Sequence, residues 1–409
     1  MDRPSNGSRK PKALFLSPEA PYPAIGGGPL RSASLLEYLA RHFAVHAIIF
    51  RHLHEHDPAQ ALPAGLVQRL DVLDLPHHPK TPVARAVRNS RRLFLGRPPL
   101  IDRFAGYGEA ISSLISKCEY DIAIIEHFWC APYVQQLRSR SKRVILDLHN
   151  IESVWHRSLS EGESKARAWA LRRFATASVA LERKWWPEFD AILATSQEDG
   201  ARVRDIFPDA NVAVYPNALP CIAKPPREEL EEIVFSGNLE YPPNAGALRF
   251  FSKNIWPILR SRWPNLKWKI VGKHPEAIAG FVRDDPRIQM TGFVDDAIPL
   301  LAEARIAVVP MLSGSGTRIK ILEAWAAGTP VVSTSLGAEG LECRDGEHLL
   351  IANQPERFAN AVASLLESPQ ERMRIGAAGR ELYEQNYTWN AAWGILDTVL
   401  RNHVTRQGI

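Results

Sequence analysis

Short apolar segments recur along the chain without alternating with polar residues. The first six are KALFLS, AVHAIIF, DIAIIEHFW, RVILDL, AILATS and NVAVYPN. Continuous, β-branched-rich runs of this length are typical of strands buried on both faces of a parallel sheet. Helical patterns lie between them, such as GPLRSASLLEYLARHF and RAWALRRFATASVALERKWWPEF. This alternation predicts a doubly wound α/β domain.

The pattern pauses at PCIAKPPREELEE, which is proline-rich, then charged, and reads as a linker. Six further apolar segments follow: EIVFSGNL, KWKIVGK, RIQMTGFV, RIAVVPML, TPVVSTS and HLLIAN. Helical patterns again separate them, including NAGALRFFSKNIWPILRSRW and DAIPLLAEA. We therefore predict two Rossmann-like domains, residues 1–222 and 223–385. Ligands of open α/β sheets bind beyond the carboxyl ends of the strands, so two such domains facing each other would form a cleft.

The tail over residues 386–409 has the pattern of an amphipathic helix, and Thr388 is placed to cap its N-terminus. Two arrangements stay open at this point. The helix packs on the second domain, or it crosses back and packs toward the first domain.

Composition is that of a folded enzyme rather than a disordered chain. The 409 residues are 45% hydrophobic and 23% charged, with a net charge of +5. This excess is modest for the length, so nucleic-acid binding is not indicated. A local anionic ligand, such as a diphosphate or a lipid headgroup, fits better.

Cysteine use and hydropathy bear on the compartment. The four cysteines, at positions 118, 130, 221 and 343, lack metal-ligand spacing and read as buried thiols in a reducing compartment. The N-terminal apolar stretch, Ala13 to Leu16, is too short for a signal peptide. No apolar run approaches the ~20 residues of a membrane span. We expect a cytoplasmic protein, with peripheral contact at the inner face of a membrane as an open alternative.

The segment SGSGTRIKILEAWAAGTPVVST holds the main candidate chemistry. It follows a predicted strand, and Ser315, Gly316 and Thr317 open a helix. Free backbone N–H groups and the helix dipole make such an end a site for anions. Arg318 adds a bidentate donor and Lys320 a point charge. The segment predicts a diphosphate site, although the Walker pattern GxxxxGK[ST] is absent.

Glu323 lies on the same helical face as Lys320. One interpretation is a surface ion pair. The other is a carboxylate that accepts two ribose hydroxyls, which we favour because the surrounding helix is apolar and an unpaired buried carboxylate is costly.

These motifs resemble the retaining glycosyltransferases of family 4, which have the GT-B fold. The segment EAWAAGTPVVST is similar to the family's EA-[small]-A-x-G-x-PVV motif. The resemblance implies that Glu323 holds the donor's ribose and that Leu322 lies at the donor site. Where the family has a first glutamate that orients the donor sugar, this chain has Ser315. The form SGSGTRIKILEA instead resembles a subgroup with GxGTRxKxLEA, in which Arg318 and Lys320 are the candidates to hold the diphosphate.

Two further segments of the second domain carry the resemblance. FSGNLEYPPN is similar to the family's FxGxxxYxPN and implies donor contacts by Gly237 and Asn238. QMTGFVDD resembles the loop around the nucleotide base, at Gly292, Phe293 and Val294.

In the first domain, SPEAPYPAIGGGPLR resembles the family's glycine loop and implies contacts by Gly27 and Gly28. Glycine turns serve many other purposes, and the dinucleotide pattern GxGxxG is not matched. VILDLHN places His149 at the carboxyl end of a strand. A lone histidine is as often structural, but the resemblance implies a contact to the transferring glycosyl group.

Neither a metal nor a cofactor is expected, because no DxD motif is present and the donor is itself the substrate. One basic segment remains: Lys80, Arg85, Arg88, Arg91, Arg92, Arg97 and Arg103. It reads either as a solvated helix face or as a surface that meets anionic lipids or headgroups.

The resemblance implies a retaining, hexosyltransferase-type enzyme that moves a sugar from a nucleotide sugar to an acceptor hydroxyl of a sugar or glycolipid. Cell-envelope polysaccharide or glycolipid synthesis is the expected pathway by family frequency. Two alternatives stay open: an enzyme resembling nucleotide-sugar epimerases, and a non-catalytic protein that binds sugar nucleotides.

Overall fold

The computed structural model describes residues 10–52, 57–79, 81–161, 163–282, 285–314 and 319–401. The chain forms two compact units, one of Met1–Tyr215 with Leu396–Ile409 and the other of Pro216–Ile395. In the described residues each unit has one parallel sheet with helices between its strands. The predicted doubly wound α/β class is therefore confirmed.

The first unit has a seven-stranded sheet of order β3-β2-β1-β4-β5-β6-β7 in its described residues. Its strands are β1 (Lys12–Ser17), β2 (Ala44–His52), β3 (Arg69–Leu75), β4 (Ile122–Glu126), β5 (Val144–Asp147), β6 (Ala191–Ala194) and β7 (Val212–Val214). Its helices are α1 (Gly27–His42), α2 (Pro58–Ala61), α3 (Pro82–Leu95), α4 (Pro99–Arg103), α5 (Gly108–Ile115), α6 (Val134–Arg138), α7 (Glu152–Leu159), α8 (Lys165–Trp185) and α9 (Gln197–Ile206).

The second unit has a six-stranded sheet of order β10-β9-β8-β11-β12-β13 in its described residues. Its strands are β8 (Leu230–Ser236), β9 (Lys267–Val271), β10 (Ile288–Gly292), β11 (Ala304–Val309), β12 (Val331–Ser333) and β13 (Leu350–Ile351). The helices are α10 (Pro242–Phe250), α11 (Trp256–Arg262), α12 (Ala279–Val282), α13 (Ile298–Glu303), α14 (Ile319–Ala327), α15 (Pro355–Glu367), α16 (Pro369–Asn386) and α17 (Trp389–Leu396).

The central strands follow the apolar runs because both of their faces are covered. All residues of β4, β5 and β6 are buried. β3 was not predicted, and the reason is its place at the sheet edge. Its residues are mostly half-buried, and aspartates interrupt the apolar run. An edge strand paired on one side does not need a continuous apolar segment.

The long helix predicted over NAGALRFFSKNIWPILRSRW was wrong in one respect. Two α-helices, α10 and α11, are joined by a π-helical turn at Phe251–Ile255. Pro257 lies in the first turn of α11. Because proline has no N–H and clashes with the preceding turn, it interrupts the regular ladder of hydrogen bonds.

The end of the described chain belongs to the first unit. Ala391 N donates to Thr388 Oγ1 at 3.4 Å, as expected for the cap of α17. Beyond α17, a π-helical turn at Asp397–Arg401 contacts first-unit residues. Tyr38 Oη donates to Asp397 Oδ1 at 2.9 Å, and Arg143 donates to the Val399 carbonyl. The predicted boundaries after residues 222 and 385 stay a prediction.

The structure bears on two expectations drawn from composition, one about the cysteines and one about membrane-spanning segments. The four cysteines are free thiols, but only Cys130 is buried, and Cys221 is exposed, so the expectation of four buried thiols was wrong. Among the described residues, none of the helices combines the length and the hydropathy that crossing a membrane requires.

Candidate active site

The two sheets reverse their strand order at one point each. The reversal lies between β1 and β4 in the first unit and between β8 and β11 in the second. Loops at the carboxyl ends of neighbouring strands diverge at such points and leave a crevice for a ligand. Of the predicted site residues, Gly27 and Gly28 follow β1, and Gly237 and Asn238 follow β8.

In the second unit, Glu323 of α14 is held against the end of β8. Ser236 Oγ, on the last residue of β8, donates to Glu323 Oε2 at 3.2 Å. The carboxyl is half-buried, and burial raises its pKa despite the Ser236 hydrogen bond and the nearby charge of Lys320. One carboxylate oxygen is thus fixed by the protein, while the group keeps further lone pairs for a ligand hydroxyl.

Lys320, one turn earlier, is held by a different partner. Its Nζ donates to Asn244 Oδ1 at 2.7 Å and lies 4.4 Å from the centre of the Phe235 ring. Gly237 leaves room for this arrangement. Its φ is +146°, and a Cβ there would lie 2.9 Å from Asn244 Nδ2 and 3.0 Å from Lys320 Nζ. A side chain at position 237 would displace the ammonium group.

The other predicted donor residues of this unit have different surroundings. Asn238 accepts from Glu240 N through its side chain and from Asn244 through its carbonyl. Gly292 ends β10 with φ +75°, and the following Phe293 is exposed, as a side chain that stacks on a base would be. Val294 is half-buried, whereas the side chain of Leu322 is in the core. Their contacts to a donor stay predictions.

Four predicted residues lie outside the described residues: Ser315, Gly316, Thr317 and Arg318. The diphosphate site at the start of the helix therefore stays a prediction. Lys80 of the basic segment is also outside the described residues.

In the first unit, His149 belongs to a buried network of charges. Its Nε2 lies 2.8 Å from Glu126 Oε2 and 3.3 Å from Asp147 Oδ2. Arg31 Nε donates to Asp147 Oδ2 at 2.8 Å, and Ser32 Oγ donates to Glu126. All five residues are buried. Two cations therefore face two carboxylates, which is how buried charges are tolerated.

The network sets the charge of His149. Burial lowers its pKa, but the hydrogen bonds to Asp147 and Glu126 outweigh this and raise the pKa to about 9. Burial and the charge of Asp147 raise the pKa of Glu126. Burial also raises the pKa of Asp147, but Arg31 and His149 bring it below its ordinary value. The imidazole is therefore a cation at neutral pH, held between two carboxyl groups.

Gly28 is close to this histidine. A Cβ on Gly28 would lie 3.8 Å from His149 Nδ1 and 2.6 Å from Glu19 Oε1. Gly27 is the first residue of α1. The glycine loop and His149 are thus brought together at the switch point of the first unit.

His127 extends the network toward an aromatic stack. Its ring stacks on His149 and on Trp129, with centroids 3.5 Å and 4.1 Å apart. Burial and the charge of His149 lower its pKa to about 4. Its φ of +60° is unusual for a residue other than glycine and is a form of strain found at functional sites.

Two atoms of this site lack a hydrogen-bond partner in the described part of the chain. They are Glu126 Oε1 and His127 Nε2, both buried. Glu19 Oε1 lies 3.6 Å from His127 Nε2. Such atoms are suited to a ligand hydroxyl, which can donate to the carboxylate and to the neutral imidazole nitrogen.

The same residues bear on metal binding. Glu126, His127 and His149 each offer one ligand atom, and these atoms lie within 4.8 Å of one another. His149 Nε2 is engaged by Glu126 and Asp147, and a metal ligand would have to be unprotonated. The expected lack of a metal stays a prediction.

Sequence reasoning missed Glu126, His127, Asp147 and Arg31. Glu126 and Asp147 could have been found, because each ends an apolar run. A place at the carboxyl end of a predicted strand is the same signal that pointed to His149. Arg31 had no such signal, since its partner Asp147 lies 116 residues away.

Comparison with known proteins finds a family model that matches most of the second unit. The model of the family described as "Glycosyl transferases group 1" matches residues 231–368. That segment includes Ser236, Lys320 and Glu323. The chain is a glycosyltransferase.

Relatives of this glycosyltransferase extend over much of its length. It is 23% identical over 389 residues to an uncharacterized 44.6 kDa protein in the cps region of Klebsiella pneumoniae, covering 92% of this chain and 96% of the relative. It is 27% identical over 243 residues to the phosphatidyl-myo-inositol mannosyltransferase of Mycobacterium leprae, covering 57% and 60% of the two chains.

Solved structures confirm that the glycosyltransferase has the GT-B fold. Sucrose-phosphate synthase from Thermosynechococcus elongatus superposes with a TM-score of 0.72 at 19% identity, covering 97% of this chain and all of that one. Anabaena HepE, in complex with UDP and glucose, gives 0.63 at 14% identity over 96% of this chain and all of that one.

Proposed function

We propose that the enzyme transfers a sugar from a nucleoside-diphosphate sugar to an acceptor hydroxyl with retention of anomeric configuration, as in the GxGTRxKxLEA subgroup. The supporting observation is the pair of side chains that α14 presents beside the end of β8. Glu323 and Lys320 are held by separate partners, Ser236 and Asn244, inside the segment that matches the family. A carboxylate and an ammonium fixed side by side suit a ribose and a diphosphate.

Each group has a distinct task in donor binding. Glu323 accepts hydroxyl protons of the ribose, because its second oxygen is not engaged by Ser236. Lys320, with Arg318, neutralises the charge that develops on the leaving diphosphate. Exposed Phe293 stacks on the base, with Gly292 and Val294 beside it.

The transfer step needs a same-face attack for retention. The bond between the anomeric carbon and the diphosphate oxygen breaks, and the acceptor oxygen bonds to that carbon from the same side. The proton of the acceptor hydroxyl passes to the leaving phosphate oxygen, which acts as the base. His149 contacts the transferring glycosyl group as a donor of hydrogen bonds. A trapped glycosyl–enzyme adduct would contradict this mechanism.

In this mechanism a divalent metal has no role. Full donor turnover in the presence of EDTA is the expected result. A loss of turnover that Mn²⁺ or Mg²⁺ restores would contradict it and would direct attention to Glu126, His127 and His149.

The acceptor in this proposal is a saccharide or glycolipid of the cell envelope. Support comes from relatives whose names refer to a cps region, to phosphatidyl-myo-inositol mannosyl transfer and to lipopolysaccharide core biosynthesis. A lipid-borne acceptor would bring the enzyme to the cytoplasmic face of a membrane as a peripheral protein.

Thermal stabilisation by UDP, GDP, ADP, CMP and their sugars tests the donor site. A ligand that binds the folded state raises the melting temperature. We expect one nucleotide to stabilise the wild type and the effect to be lost in Glu323→Ala. The matched control is Glu356→Ala, an exposed glutamate on α15 of the same unit. Equal stabilisation of wild type and Glu323→Ala would contradict the assignment.

A further inference from the structure

Helix α3 of the first unit has its apolar side chains on the outside. Val83, Val87 and Phe94 are 74%, 65% and 86% exposed. At about 100° per residue they fall within roughly 40° of one another on the helix, so they form one stripe. Leu95, at the helix end, is exposed as well. Isolated exposed apolar residues are ordinary, but an aligned set on one helix marks a surface that binds something.

On the opposite side of α3, arginine side chains contact the rest of the first unit. Arg92 lies about 180° from Val83 on the helix, is buried, and donates to Asp102 Oδ2 at 2.8 Å. Arg88 donates to the Pro79 carbonyl at 3.3 Å. The orientation of the helix is therefore fixed by these polar contacts, and the apolar stripe is directed away from the unit.

Helix α3 is capped at both ends, which helps to hold the apolar stripe in a helical arrangement. Thr81 Oγ1 accepts from Ala84 N, and Pro82 occupies the first turn. Gly96 ends the helix in the left-handed conformation, with φ +59°. Caps of this kind contribute to the stability of a helix at both of its ends.

The charge around the stripe is strongly positive. Residues 81–103 contain six arginines and one acidic residue, Asp102, which is already bound to Arg92. Arg85, Arg91 and Arg97 are exposed and make no ion pair with the residues that the structure describes. The partner of this surface must accept apolar side chains and supply negative charge.

We propose that the outer face of α3 docks the enzyme on an anionic lipid surface, with Val83, Val87 and Phe94 inserted at the headgroup boundary and the arginines on lipid phosphates. The docking proposal rests on the proposed function in one respect: docking would give the enzyme access to a lipid-borne acceptor. An interfacial helix combines an apolar stripe with basic residues in this way. A second copy of the chain fits poorly, because a two-fold contact would bring the same arginines together.

Flotation with vesicles tests the proposal on the full chain. We expect binding to phosphatidylglycerol–phosphatidylcholine vesicles, weakening as salt rises, and little binding to phosphatidylcholine alone. The double variant Val87→Asp/Phe94→Asp should lose about tenfold in vesicle affinity. The control is Met373→Asp, another exposed apolar residue, on α16, which should bind like the wild type.

Three results would overturn the proposal. The wild type fails to bind anionic vesicles, the double variant binds as well as the wild type, or the double variant changes only the oligomeric state seen by light scattering. The last result would assign the stripe to a second copy. Nucleotide-induced stabilisation, measured in the same samples, shows that the variants are folded and keeps a failure here separate from a failure of the donor site.

Discussion

His149 and Glu126 form a buried hydrogen-bonded pair, with 2.8 Å between Nε2 and Oε2. Asp147 Oδ2 also lies 3.3 Å from the same nitrogen, and Asp147 is itself bound by Arg31. The histidine that the sequence pointed to is therefore one member of a four-charge group. Its protonation state is set both by Asp147, two residues earlier in its own segment, and by Glu126 at the end of the neighbouring strand β4.

NMR titration of the His149 ring tests this relationship. We expect a pKa of about 9, because the bonds to Asp147 and Glu126 outweigh burial. The raised value means that the pair stabilises the fold fully below the ordinary pKa of about 6.5 and that this contribution is lost as the pH rises through 9. In Glu126→Gln the pKa should fall by about one unit or more. A titration near 6.5 in the wild type would contradict the account.

Removal of Arg31 should destabilise the first unit strongly. Arg31→Met leaves Asp147 buried without its cationic partner, and breaking a buried pair costs about 3–5 kcal/mol. Arg51→Met is the comparison, because its pair with Asp74 is half-exposed and such pairs contribute at most about 1 kcal/mol. Chemical denaturation measures both free energies of unfolding. Equal losses in the two variants would be the contrary result.

Lys320→Met should weaken donor binding more than stability. The ammonium is positioned by Asn244 beside the end of β8, and the loss of a charged hydrogen bond costs about 1.5–3 kcal/mol, or roughly ten- to hundredfold in affinity. Lys267→Met removes an exposed lysine of β9 in the same unit and should leave affinity unchanged. Calorimetry measures the affinity of both variants for the preferred nucleotide. A normal affinity in Lys320→Met would show that Lys320 does not bind the donor.

Gly237→Ala and Gly246→Ala should have opposite effects on the second unit. At position 237 the new Cβ would meet Asn244 and Lys320, and the backbone would be strained at a cost of about 1–3 kcal/mol. At position 246, inside α10, nothing lies within 4 Å of a Cβ, and alanine should stabilise the helix by about 0.5–1 kcal/mol. Thermal unfolding checks both signs. A neutral Gly237→Ala with full donor affinity would show that no close contact exists there.

The sequence predicted most of the strands because buried parallel strands leave continuous apolar runs. It failed at β3, where an edge position tolerates aspartates, and at the π-helical turn before Trp256, where a single proline changes a helix that is otherwise regular in pattern. In the site, Glu323 and His149 could be found because each stands at a strand end or in a motif. Ser236 and Arg31 could not be found in this way, since Ser236 is 87 residues from its partner Glu323 and Arg31 is 116 residues from its partner Asp147.

The hydropathy pattern of α3 did not predict which face of the helix is directed toward the protein. Its apolar and basic positions were visible, but only the structure shows that Arg92 points inward and Phe94 outward. An amphipathic pattern does not say which face meets the protein, because a buried arginine with a carboxylate partner can replace an apolar contact.

The most direct test of the central claim is donor turnover followed by ³¹P NMR, with a panel of nucleoside-diphosphate sugars and no added acceptor. We expect one donor to be slowly consumed with release of its nucleoside diphosphate, Glu323→Ala to lose this activity, and Glu356→Ala to keep it. Consumption of the donor at the same rate by Glu323→Ala, or no consumption of any donor by the wild type, would contradict the assignment of α14 as the donor site.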